Sequence, residues 1–135
     1  MNGRLDWTQL FFTSTGRLSR TPFMISSAVL FMSAWLYEAV SSPAVRWITG
    51  WVVYPFLLWC GVSIAAKRWH DRGRSGWWAA PVIVAVLTVW NPAAPSFLKA
   101  LFSFLLIWAA VELAAMPGEQ GANRFGPNPL QLSHA

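Results

Sequence analysis

Four apolar runs, separated by short breaks rich in arginine or proline, constrain this chain more than any other feature of it. Over 23–41, 47–66, 77–90 and 97–116, charged side chains almost vanish. A helix rises ~1.5 Å per residue, so about 20 residues cross the ~30 Å hydrocarbon layer of a bilayer. The first, second and fourth runs reach that length. The third is short for a crossing unless it continues through Asn91-Pro92 or meets a thinned bilayer. Hydrophobic residues make up 56% of the chain and charged ones 11%, whereas soluble domains carry roughly a quarter charged. A soluble fold could not cover so much apolar surface.

The breaks carry the chemistry of helix ends. Thr21-Pro22 reads as an N-cap followed by proline at the first helical position, where the missing N–H costs nothing. Ser42-Pro43 ends the first span, Pro55 inside the second predicts a kink, and Lys67 and Arg68 end the second. Asn91-Pro92-Ala93-Ala94-Pro95-Ser96 reads as a turn, and Pro117-Gly118 closes the fourth span. Residues 1–22 place Trp7, Leu10 and Phe11 at helical spacing among Arg4, Asp6, Arg17 and Arg20, which suits an amphipathic segment on the membrane surface. The opening residues lack the apolar core and cleavage site of a secretory signal. Residues 117–135 read as an irregular tail, and no internal repeat is visible. The expected fold is all-α: an integral-membrane four-helix bundle over 23–116, with a cytoplasmic loop at 67–76 and cytoplasmic N and C termini.

The termini follow from the basic residues. In this arrangement Arg4, Arg17, Arg20, Lys67, Arg68, Arg72, Arg74 and Arg124 share one side, while Arg46 and Lys99 share the other. Cytoplasmic loops carry the excess of Lys and Arg, so the larger group faces the cytoplasm. A three-span arrangement, with the third run re-entrant, would put the tail outside and weaken the asymmetry by a single charge. Buried carboxylates need partners. Glu38, near the outer end, has Lys99 and Arg46 within reach, and Glu112, near the inner end of the fourth span, has Lys67 and Arg68. No chain of titratable groups links the two acids, which argues against a proton relay.

The net charge of +5 suits nucleic acid or anionic lipid, and the hydrophobicity decides for membrane lipids and against nucleic acid. Cys60 stands alone, so no internal disulfide forms, and its bland reading is a small buried hydrophobe. The only histidines are His70 and His134, too few ligands for a metal site, and nothing calls for a cofactor.

The densest polar stretch runs from Lys67 to Trp78. Gly73 and Gly76 permit a tight turn, Ser75 is placed to cap the third span, and two cytoplasmic helix N-termini lie beside arginine pairs. Eight of the ten basic residues are arginine, whose planar fork grips phosphate in a bidentate way. One reading is thus a phosphate cradle of Arg17, Arg20, Arg68, Arg72, Arg74 and Ser75, holding an anionic phospholipid or a polyprenyl phosphate. The competing reading is that these arginines only fix topology and reach for headgroups. His70-Asp71 invites a membrane-embedded enzyme, yet no nucleophile stands nearby and no catalytic residue is assigned. Asp71 reads more simply as an ion-pair partner of Arg17, Arg20 or Arg68. Trp69, Trp77 and Trp78 read as an interfacial belt. Ala110 and Ala114, small and four apart, offer a packing face for a homo-oligomer or a membrane-protein partner.

Three blocks carry a resemblance. They are Gly16-Arg17-Leu18-Ser19-Arg20 with Phe23, then Arg68-Trp69-His70-Asp71-Arg72-Gly73-Arg74-Ser75-Gly76-Trp77-Trp78, and Gly121-Ala122-Asn123-Arg124-Phe125-Gly126-Pro127-Asn128-Pro129. On these the chain resembles the YhaH-like bacterial inner-membrane proteins of unknown function. It departs from them at Trp69 and Arg72, where the family pattern is aliphatic, and at Asn128, where it is Asp. The resemblance implies a small multi-pass inner-membrane protein with no established activity. It also implies that the three blocks belong together, so that Asn123 and Arg124 fold back on His70 and Asp71 as one ligand site or one structural cap.

Overall fold

The computed structural model describes residues 6–132; Arg4 and His134 lie outside that range. Among the described residues the fold is all-helical, without strands and with one isolated bridge between Asn123 and Gly126. Helix α1 spans Trp7–Phe12 and is capped by Asp6, which accepts bonds from the Thr8 hydroxyl at 2.6 Å and the Thr8 and Gln9 amides at 3.0 and 3.4 Å. Those bonds, the Thr8 hydroxyl foremost, hold the Asp6 carboxyl below its ordinary range.

Helix α2 spans Arg20–Val40 and α3 spans Pro43–Asp71. The cap of α2 is Ser19, not Thr21, so Pro22 sits in the first turn rather than at its first position. Proline is equally harmless there, because the first-turn amides have no helical partner. A larger correction concerns α3, which runs past Lys67 and Arg68 to Asp71 instead of ending at them. Its 29 residues measure about 43 Å, more than the hydrocarbon layer needs. The polar last turns therefore project beyond the apolar length of the helix.

A Schellman motif ends α3. The Gly73 amide donates to the His70 carbonyl at 3.0 Å and the Arg74 amide to the Trp69 carbonyl at 2.9 Å, with Gly73 at φ +70°. That left-handed position favours glycine strongly. Ser75 then accepts from the Trp77 amide at 3.4 Å, capping a 3-10 turn, Gly76–Trp78, that leads into α4, Ala79–Trp90. Helix α5, Ser96–Ala110, continues as a π turn over Val111–Ala115, and a short α6, Pro129–Leu132, lies within the tail.

Three of these segments, Arg20–Val40, Pro43–Asp71 and Ser96–Ala115, are long and apolar enough to cross a membrane, whereas Gly76–Trp90 is shorter. The protein is thus a membrane protein. Helix α2 packs on α3, α4 on both α3 and α5, and the π turn on α2, while α1 lies along α3. Two small cores, one around Leu10, Leu18 and Ile64 and one around Trp69, Ala79 and Leu113, gather beside the polar end of α3. Elsewhere the helices present bare apolar side chains: Phe31, Trp47, Val52 and Phe104 are each at least 70% exposed. Patches of this kind fit lipid, where such contact costs nothing.

Candidate functional site

The polar end of α3 builds the densest network in the molecule. Asp71 lies 3% exposed in the last turn, and its carboxylate is closed from two sides. Arg17 reaches it from the loop after α1, with Nη2 at 3.0 Å and Nε at 3.1 Å, and Arg68 reaches it from one turn back along α3. Both guanidinium groups are as buried as the acid. A buried ion cluster of this type stands only if the remaining donors are also satisfied.

Backbone carbonyls satisfy them. Arg68 donates from Nε to Leu113 at 2.7 Å and from Nη2 to Met116 at 2.6 Å, and Arg17 donates to Glu119 and Gly121, both at 2.6 Å. Arg20 adds a bond to the Ala115 carbonyl at 3.1 Å, and Arg72 one to Pro117 at 2.5 Å. The last carbonyls of a helix have no partner of their own and carry the negative end of its dipole. Three arginines from α2 and α3 thus cap the C-terminal end of α5. The end of α5 is wound as a π turn, in which the Met116 N–H donates to the Val111 carbonyl at 3.3 Å.

Glu112, in that π turn, takes Arg72 at 2.7 Å and Arg74 at 3.6 Å. The expected partners Lys67 and Arg68 are engaged elsewhere, for the longer α3 puts them under α1 and α5. Lys67 is buried and donates to the Gln9 and Leu10 carbonyls, which places its ammonium at the C-terminal end of α1. Trp69 also departs from expectation: it is wholly buried rather than interfacial, packed between Trp78 and Trp108 at 6.0 and 5.8 Å. Of the proposed belt, only Trp77 and Trp78 are exposed.

The tail folds over this platform. Asn123 donates to the His70 carbonyl at 2.9 Å and to Glu119 at 2.7 Å, while Phe125 stacks on the His70 ring at 3.9 Å. Arg124 lies over the outer side of Phe125, 4.6 Å from its ring centre. His70 Nδ1 faces the Gly16 carbonyl at 3.0 Å. Asp71 therefore binds arginine and not His70, and the pair does not form a dyad of the kind that orients a general base. A Cβ on Gly118 would overlap the Asp71 carboxylate, which the two arginines hold in place, whereas Gly73 is required by its positive φ, the Glu119 carboxylate above it being free to shift. Asn128 bonds Gln120 at 2.8 Å through its amide and accepts from the Leu130 amide at 2.9 Å, capping α6, so the amide adds a donor where a carboxylate has none. Glu119, Phe125, Gly118 and the carbonyls after Ala110 escaped the sequence reading. Carbonyls carry no residue signature, and only Phe125 stood inside a recognisable block. Among the described residues no three His, Cys, Asp or Glu gather as metal ligands.

Residues 11–127 match the family described as "Protein of unknown function (DUF805)". The chain belongs to this family. The match takes in the first two polar blocks whole and the third as far as Pro127, so the Asp71 cluster with Arg17 and Arg68 falls within it. Among curated proteins the chain is similar to "Uncharacterized protein YiiR" of Escherichia coli K12 and to the protein of the same name from strain O157:H7. Each is 31% identical over 137 residues, covering 93% of this chain and 92% of the relative. No solved structure matches.

Proposed function

We propose that this is a multi-pass inner-membrane protein, of the YhaH-like kind within its family, that serves as a structural or partner-docking subunit and not as an enzyme. In this reading α2, α3, α4 and α5 make a four-span bundle with the short Gly76–Trp90 segment as its third crossing. The 67–76 loop and both ends face the cytoplasm, where the polar network acts as a rigid cap. One observation carries it: the Asp71 carboxylate, with both arginines that close it, is almost free of water. A ligand cradle built on Arg17, Arg68, Arg72, His70, Asp71 and Asn123 would have to strip these groups from one another first. Dismantling a buried, hydrogen-bonded ion cluster costs several kcal/mol, about 3–5 when one partner is taken away. That favours a permanent cap over a cradle for phosphate.

The test is Asp71→Ala in purified protein. The cap reading expects a large drop in the detergent unfolding midpoint and early proteolysis of the tail, with a smaller drop for His70→Ala, which loses the Gly16 bond and the Phe125 stack but strands no charge. An unchanged midpoint on Asp71→Ala would remove the cap from the account. Reporter fusions at the 67–76 loop and after residue 132 test the threading, and a periplasmic signal from the loop overturns it.

A further inference from the structure

Arg74 stands at the edge of the capping network, sharing the Glu112 carboxylate with the closer Arg72. Its backbone is fixed by the Schellman bond to Trp69. Its side chain is 41% exposed, and the contact with Glu112 at 3.6 Å is an ion pair too long for a good hydrogen bond. The guanidinium lies over Trp69 and Trp78, 5.7 and 5.6 Å from their ring centres, which orients a cation without using its N–H groups. Next to it in the chain opens a groove of about 260 Å³ lined by Ser75, Trp77, Trp78 and Pro81. That volume is below the ~300–1,000 Å³ of pockets that enclose a whole small molecule.

From this arrangement we infer a headgroup site for an anionic glycerophospholipid of the surrounding bilayer. The groove opens where the polar loop gives way to the apolar α4, the depth at which indoles settle in a membrane. Arg74 supplies the positive charge, the Ser75 hydroxyl a polar contact, and Trp77, 84% exposed, an apolar flank that continues down α4 toward the acyl chains. A free phosphate would use the cation and leave the aromatic flank idle, whereas a phospholipid uses both. Arg124, an exposed arginine of the tail, lies over Phe125 and is not part of this site.

The full chain, purified in a zwitterionic detergent, is titrated with phosphatidylglycerol or phosphatidylcholine and read by native mass spectrometry. Phosphatidylglycerol is retained in preference, and Arg74→Gln lowers that retention about fivefold, the order one arginine contributes near an anionic surface. Trp77→Ala lowers it too, while Arg124→Gln leaves it unchanged. Equal retention by wild type and Arg74→Gln overturns the site. So does displacement of the lipid by inorganic phosphate at matched concentration, which assigns the groove to a soluble anion. Should Arg74→Gln fail to fold, Trp77→Ala decides alone, because an exposed indole holds up no core, and undiminished retention there counts against the site.

Discussion

The two ends of α3 face the same problem, an acid that needs a basic partner, and reach different solutions. At the polar end Asp71, Arg17 and Arg68 form a cluster that is at most 4% exposed. At the far end Glu38 takes Arg46 at 2.9 Å and the Tyr54 hydroxyl, but acid and arginine stay about 30% exposed. The far clasp joins neighbours across the α2–α3 turn, helped by Tyr37 and Thr49 at 2.7 Å. The polar cluster joins residues more than 50 apart and, through carbonyls, more than 100 apart. Burial and chain separation, not the identity of the charges, set what each contributes. A water-exposed pair is weakened by screening and adds little, while a buried one is costly to break because its surviving partner is left charged and dry.

Breaking the buried cluster is the sharpest way to test this contrast. Asp71→Ala strands two buried guanidinium groups and is expected to cost about 3–5 kcal/mol of stability in detergent unfolding. A smaller loss, about 1–3 kcal/mol, is expected of Gly118→Ala, whose added methyl meets the Asp71 carboxylate and must push the tail aside. Limited proteolysis should then cut after residue 118 sooner than in the wild type. Combining Gly118→Ala with Asp71→Ala should fall well short of additivity, since both act on one contact. At the far end Glu38→Gln is expected to cost less than about 1 kcal/mol, and raising the salt concentration should shrink even that. If Glu38→Gln proved as damaging as Asp71→Ala, burial would not be what separates the two ends.

How much of this was legible beforehand differs along the chain. The apolar runs, Pro43, the Asn91–Ser96 turn and Gly73 were readable because each is a local rule: length against bilayer thickness, a missing N–H, a left-handed φ. Arg46 with Glu38 was readable too, being eight residues apart across one turn. The Glu112 pairing went wrong because it depended on where α3 stops. Carrying the helix to Asp71 rotates Lys67 toward α1 and Arg68 toward α5, so Arg72 and Arg74 reach the acid instead. Lys99, offered for Glu38, bonds the Pro92 carbonyl on its own turn at 3.0 Å. The small-residue face of Ala110 and Ala114 meets the π turn that begins at Val111, which breaks the four-residue register on which it relied.

By itself the sequence determined that the chain is helical and lives in a membrane, because hydrophobicity and length are summed residue by residue and need no knowledge of neighbours. It also determined that six of the eight arginines fall in the three polar blocks. Only the tertiary structure decided what they do there. Whether a guanidinium meets a ligand, a headgroup or a helix-end carbonyl depends on which backbone groups the packing leaves without partners, and such groups look alike in every residue.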